Sequence, residues 1–217
     1  MINDRVLPDG EYYSELRMPM ISLITNVPKR VLEVGCASGQ TLAYLRDRGA
    51  EYTVGIERSA EVAALAQARS LNQVVVGDIE TLDLDFEHAS FDLLIVGHVL
   101  EHLADPWKAL RRLRPLLKCQ GQLVGALPNV RHHSVVFPLL LSGKWEYQSS
   151  GVMDWTHLRF FSRRTAVDLL EGAGFEVNRI VPDFGYKSRM ANSLTCNVFQ
   201  EFLAYAYNFS ALKTTAD

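Results

Sequence analysis

Between Val31 and Gly39 the chain reads Val-Leu-Glu-Val-Gly-Cys-Ala-Ser-Gly. An apolar stretch suited to a buried strand runs straight into a turn bounded by two glycines, and a helix is expected to begin near Gln40. Strand, glycine turn and helix in this order leave open backbone at the carboxyl end of a parallel sheet. The segment therefore points to an α/β architecture with room for a nucleotide-like ligand at that edge.

The rest of the chain repeats the alternation. Strands are predicted over 31–34, 52–56, 74–76, 91–96, 122–127 and 175–181. Phe91-Asp-Leu-Leu-Ile-Val96 is almost continuously apolar, as in a strand buried on both faces. Helices are predicted over 41–48, stopped by Gly49, and over the Ala-rich 60–70. Another is capped by Asp105 with Pro106 in its first turn, and Pro115 kinks or ends it. Ser162 caps a further helix running to Gly172. Residues 1–28 read as an N-terminal helical lid, with a helical segment over 11–26 in which Pro19 sets a new start; Tyr12, Tyr13 and Arg17 are its site-facing candidates. Near the end, Leu194, Val198, Phe199 and Phe202 suit one helix face. Tyr205, Tyr207, Phe209 and Ala211 then alternate, giving a last strand expected to be antiparallel at the sheet edge. The expectation is a single doubly wound α/β domain over 1–217, with 129–160 as a substrate-side insertion, long for a plain connection.

Composition sets limits on partners. The net charge is −3, from 22 Lys+Arg against 25 Asp+Glu, which gives no global pull toward nucleic acid. The three cysteines, Cys36, Cys119 and Cys196, are odd in number and widely spaced, so neither a disulfide framework nor a zinc site is expected, and a cytoplasmic setting fits. No apolar run is long enough to span a bilayer, although Val135-Val-Phe-Pro-Leu-Leu-Leu141 is a candidate hydrophobic wall or membrane-touching edge.

The glycine turn lacks the G-x-G-x-x-G spacing that seats a pyrophosphate on a helix N-terminus. Glu57 ends the second strand, 24 residues after Glu33, where a carboxylate accepts hydrogen bonds from both hydroxyls of a ribose. Asp78 ends the third, in reach of an adenine amino group, with Ile79 expected along the ring. Glu33 is placed to meet an ammonium group.

These marks, with Gly55-Ile-Glu57, Gly77-Asp78-Ile79, His98-Val-Leu-Glu-His102, Asp105-Pro106 and Leu116-Leu-Lys-Cys-Gln-Gly-Gln-Leu123, resemble the class I S-adenosylmethionine-dependent methyltransferases over nearly the whole chain. The resemblance implies a Rossmann-like methyltransferase fold, a doubly wound seven-stranded sheet whose last strand is antiparallel. It implies S-adenosylmethionine as cofactor, held by Glu33, Gly35, Cys36, Gly39, Glu57, Arg58, Asp78, Ile79 and Gly97. One departure is Ala37, where many members have glycine. Cys36 is read as a small packing residue of the turn rather than a nucleophile.

Methyl transfer from a sulfonium needs no general acid, but a hydroxyl acceptor needs a base. His98, at the end of the fourth strand, is the first candidate and His157 the second. Asp154-Trp-Thr-His-Leu-Arg-Phe-Phe-Ser162 resembles an Asp-x-x-His-x-Arg-x-Phe segment of bacterial methyltransferases associated with glycan assembly. Asp154, Arg159, Asn129 and Arg131 are the acceptor-side candidates; an Asp154–Arg159 pair tying down the insertion is the structural alternative. No metal is assigned. The run from His98 also resembles the segment by which some quinone-type O-methyltransferases hold a divalent ion, and here His98, Glu101 and His102 would be its ligands. The reading is a small-molecule O-methyltransferase acting on a glycan-precursor sugar or a phenol. Its alternatives are a non-catalytic S-adenosylmethionine-binding module working through a partner and, more weakly, an RNA methyltransferase.

Overall fold

The computed structural model describes residues 16–214. Seven strands form one sheet: β1 (Arg30–Val34), β2 (Tyr52–Glu57), β3 (Gln73–Val76), β4 (Phe91–Gly97), β5 (Leu117–Pro128), β6 (Phe175–Asp183) and β7 (Ala206–Lys213). Their order across the sheet is β3-β2-β1-β4-β5-β7-β6. The strands from β3 to β5 pair in parallel, while β7 runs antiparallel to both β5 and β6.

Both faces of the sheet are covered, which explains the uninterrupted apolar strands. Along β1, Val31 points to one core and Leu32 to the other; along β4, Leu93 and Ile95 face the first core while Leu94 and Val96 face the second. The first is closed by α1 (Met18–Ile21) and α2 (Gln40–Arg46), through Met20, Leu42 and Leu45, with Ala66 of α3 (Ala60–Gln67). The second is closed by α4 (Pro106–Leu113), through Leu110 and Leu113, and α6 (Arg163–Gly172), through Leu169 and Leu170. The caps read from sequence are made: the Asp105 carboxylate accepts from the Lys108 N–H, and Ser162 and Thr165 form a capping box. Pro115 ends α4, falling in a 3-10 turn over Arg114–Leu116.

Three expectations change, and the 129–160 stretch gains detail. The last strand is antiparallel but lies inside the sheet, between β5 and β6; its first six residues are buried, which an edge strand would not achieve. The helix drawn through Leu194, Val198, Phe199 and Phe202 is two pieces, α7 (Tyr186–Leu194) and α8 (Gln200–Leu203). Cys196 and Asn197 between them take positive φ, and Leu194, Val198 and Phe199 are exposed. A helical spacing of apolar residues forms a helix only where that face is buried. The N-terminal helix is the single turn α1 with Pro19 in its first turn, and the part of the predicted segment before residue 16, including Tyr12 and Tyr13, lies outside the described residues. Within 129–160, α5 (His133–Ser142) forms despite an internal Pro138, and an irregular stretch follows it. Phe137, Leu140 and Leu141 of α5 are exposed. Among the described residues no helix is long and apolar enough to cross a membrane.

Candidate active site

Strand order reverses between β1 and β4, so chains leaving their carboxyl ends part in opposite directions and open a crevice. The turns after β3, β2, β1 and β4 stand side by side there. They carry Asp78, Glu57, the Gly35–Gly39 turn and Gly97-His98 respectively.

The turn after β1 is fastened to β2, since the Gly35 and Cys36 N–H groups both donate to the Ile56 carbonyl, at 2.8 and 3.1 Å. Gly35 and Gly39 adopt φ of +68° and +75°. A side chain at either would also collide, with Val99 at 2.6 Å or Leu71 at 2.8 Å, so both positions require glycine for two reasons. Ala37 takes φ of +48° and bears the strain that glycine would avoid. Its N–H donates to Glu57 Oε2 at 3.0 Å, while Glu57 Oε1 accepts from the Ser59 N–H at 2.9 Å. Glu57 thus ties the β1 turn to the start of α3, a role its strand-end position alone did not reveal. Cys36 is buried, and burial followed by the charges of Glu33 and Glu57 pushes its thiol up, as befits a packing residue.

Glu33 lies in β1 at 6% exposure, with Oε2 buried and unpartnered. Burial pushes its carboxyl up to about 8, against the lowering effects of the Thr41 hydroxyl and the Arg17 charge. Asp78 is half-buried; its Oδ1 accepts from the Glu80 N–H at 2.9 Å. Ile79 is packed into the core rather than left open to a ring, and Arg58 is exposed. At Gly97 a side chain would meet Met20 at 2.9 Å, so α1 closes directly over the end of β4.

His98 follows with φ of +55°. Its Nδ1 donates to Glu101 Oε1 at 3.1 Å, and its side chain keeps 17% exposure against 1% for Glu101. Burial works to raise the Glu101 carboxyl, but the hydrogen bond and charge of His98 and the charge of His102 outweigh it and hold the group below the usual carboxylate range. The result is a partly open imidazole oriented by a buried carboxylate. The Glu101 carbonyl also accepts from the Leu158 and Arg159 N–H groups, at 2.8 and 3.0 Å, which docks the insertion onto the β4 loop.

That docking carries His157 to His102, with ring centroids 4.8 Å apart, edge to face. Glu101, His102 and His157 each place one potential ligand atom within 4.8 Å of the others'. The set differs from the His98, Glu101 and His102 suggested by sequence spacing: His98 stands behind Glu101, and the third member comes from the insertion. Burial, with His157 adding to it, lowers the His102 imidazole, and Glu101 opposes.

The acceptor-side candidates are mostly spoken for. Asn129 is 1% exposed; its Nδ2 donates to the Glu201 and Ala204 carbonyls at 2.7 and 2.8 Å and its Oδ1 accepts from the Arg131 N–H at 3.0 Å. It is a clamp between β5 and the α8–β7 connection. Arg131 pairs with Glu201. Asp154 accepts from the Thr156 N–H and hydroxyl, at 2.8 and 2.5 Å. Arg159 does not meet it but donates to the Ala104 carbonyl and lies over the Trp107 ring. Arg159 also lines a cavity of about 320 Å³ with Trp107, Phe160, Phe161 and Asp168. A second cavity, of about 410 Å³, lies at the carboxyl ends of β5 and β6 between His132, His133, Asp183, Ser188 and Tyr205. Burial, then the neighbouring His133, lowers His132 to about 4. Two adjacent histidines just past the fifth strand were the available sequence signal for this pocket.

The sequence model of the Methyltransferase domain family matches residues 11–180. A Ubiquinone biosynthesis O-methyltransferase of Paraburkholderia phymatum is 28% identical over 174 residues, covering 74% of this chain and 73% of that protein. An uncharacterized 37.1 kDa protein in transposon TN4556 of Streptomyces fradiae is 31% identical over 157 residues, 70% of this chain, and the chain spans only 44% of its length. The fold matches that of an S-adenosylmethionine-dependent methyltransferase from Mesorhizobium loti, with TM-score 0.66 and 15% identity, over 90% of this chain and 96% of the other. A methyltransferase from Archaeoglobus fulgidus gives TM-score 0.65 at 19% identity, over 90% and 89%. The chain belongs to the methyltransferase-domain family and has the class I fold of S-adenosylmethionine-dependent methyltransferases.

Proposed function

We propose that this methyltransferase O-methylates a small hydroxyl-bearing acceptor, a sugar of a glycan precursor or a phenol, and that His98 is the base. The observation that carries the reading is the His98–Glu101 pair at the carboxyl end of β4. Because Nδ1 donates to a carboxylate, neutral His98 has its free lone pair on Nε2, the atom a general base needs. The residues around the β1 turn fit the cofactor: the orphaned Oε2 of Glu33 suits an ammonium group, and Glu57 keeps further lone pairs for ribose hydroxyls.

S-adenosylmethionine, when bound, supplies a methyl group on a sulfonium that leaves as a neutral thioether. His98 would take the acceptor's hydroxyl proton at Nε2, which frees the oxygen to accept the methyl group. Glu101 holds the imidazole in one orientation and stabilises the imidazolium that forms. Met20 and α1 over Gly97 limit water at this point. The exposed apolar residues of α5 suit an acceptor with a lipid or aromatic portion. The O-methyltransferase names of the quinone-pathway relatives support oxygen as the acceptor atom.

His98→Ala tests the reading. Turnover should fall by about 10²–10⁴-fold, the usual worth of a general base, while calorimetric affinity for S-adenosylmethionine stays within about threefold. A normal rate with a true acceptor would remove His98 from the role. A parallel loss of cofactor affinity would make it a binding residue instead.

A further inference from the structure

We infer that Glu101, His102 and His157 form a binding site for a divalent transition-metal ion, next to His98. One ligand atom from each lies within 4.8 Å of the others'. An ion at the centre of such a triangle would be no more than about 2.8 Å from each donor, so inward shifts of about 0.7 Å reach ordinary bonding distances.

The second observation is how the three groups are held. The His102 Nδ1 faces the Thr156 carbonyl at 3.2 Å and the His157 Nδ1 faces the Val152 carbonyl at 2.9 Å. A carbonyl only accepts, so both rings carry their proton on Nδ1 and leave Nε2 as an unprotonated donor atom. Backbone carbonyls behind metal-binding imidazoles do this work in metalloproteins generally. Glu101, at 1% exposure, has one oxygen on His98 and the other, Oε2, buried with no partner. An orphaned carboxylate oxygen beside two oriented imidazoles is an unfinished coordination sphere.

Two imidazoles and one carboxylate suit Zn²⁺, Fe²⁺ or Mn²⁺ rather than the all-oxygen preference of Mg²⁺ and Ca²⁺, and three protein ligands leave positions open. The site joins two segments far apart in sequence, the β4 loop and the insertion, so the ion would also lock them together. Its chemical role rests on the hydroxyl acceptor proposed above, for which it would act as a Lewis acid; the site itself does not depend on that reading.

The test uses chelator-stripped full-length protein in a Cys119→Ser, Cys196→Ser background, because both thiols are exposed and thiolates compete for zinc. Zn²⁺ is titrated by calorimetry and Co²⁺ by its visible absorption. The expected result is one ion per chain, a raised melting temperature, and visible Co²⁺ bands. His102→Ala and His157→Ala should each weaken Zn²⁺ at least about 100-fold, and His98→Ala about 10-fold through Glu101. Unchanged circular dichroism in His102→Gln guards against misfolding. Wild-type protein that takes up no stoichiometric Zn²⁺ or Co²⁺ would overturn the site, as would affinity unaffected in His157→Ala. Stoichiometric binding without methyl transfer to any hydroxyl would leave the site standing and overturn the O-methylation reading instead.

Discussion

The proposed contact between Glu33 and the cofactor's ammonium group makes binding depend on pH in a calculable way. Its carboxyl is pushed up to about 8 by burial, from an ordinary 4.5. Holding it ionised in the cofactor-free protein costs about 5 kcal/mol, so at pH 7 it is about 90% protonated. An ammonium group arriving at the unpartnered Oε2 needs the carboxylate, and binding must therefore expel the proton. Two quantities follow. Cofactor binding at pH 7 should release about 0.9 proton, read from the dependence of calorimetric enthalpy on buffer ionisation heat. Affinity should rise about ninefold from pH 6 to pH 7, a range in which the cofactor's own amino group stays cationic. Glu33→Gln should lose both the proton release and the slope. In the cofactor-free protein the sign runs the other way: the proton held by folded Glu33 stabilises fully below about 4.5, and this is lost as pH rises through about 8. Equal pH slopes in wild type and Glu33→Gln, or enthalpies indifferent to the buffer, would refute the ammonium contact.

Other perturbations separate binding from scaffolding. Glu57→Ala loses both backbone N–H partners as well as the proposed ribose contact, so stability should fall by about 2 kcal/mol along with cofactor affinity. Asp78→Ala, whose carboxylate holds only the Glu80 N–H, should weaken binding with a smaller loss of stability, and calorimetry beside thermal melts distinguishes the two. Asn129→Ala should cost about 3 kcal/mol by breaking three hydrogen bonds at a buried junction, lowering the melting temperature by about 6–12 °C. Its kcat in the cold should be near normal, and a lowered kcat without a thermal shift would return Asn129 to the acceptor site. Buried His132 is held down at about 4, so its contribution is full above about 6.5 and lost as pH falls through 4. Acid melts of His132→Phe should be flatter over that window.

That Gly35, Glu57, Asp78 and His98 would lie together was legible because strand ends are fixed by local sequence. Once 31–34, 52–56, 74–76 and 91–96 are strands of one parallel sheet, Gly35, Glu57, Asp78 and His98 must share its carboxyl edge. The settings of Asn129, Arg131 and His157 were not, because long-range hydrogen bonds decide them. Nothing local to Asn129 says that its amide will find carbonyls of residues 201 and 204, and nothing local to Arg131 names Glu201. Nor does spacing within His98–His102 reveal that His157 will complete the group, since that depends on Leu158 and Arg159 docking on the Glu101 carbonyl. The alternation of Tyr205, Tyr207, Phe209 and Ala211 gave the last strand but not its place. Its place between β5 and β6 is set by two antiparallel ladders of long-range backbone pairing, which nothing local announces.

Methyl transfer to an oxygen of a small acceptor can be read from the transfer of labelled methyl from S-adenosylmethionine into fractionated bacterial extract by wild-type protein, with His98→Ala alongside. Label is expected in a nucleotide-sugar, lipid-linked glycan or phenolic fraction, as a methyl ether, and should be nearly absent with His98→Ala. Label confined to nucleic acid or protein, or equal labelling by the two proteins, would contradict it.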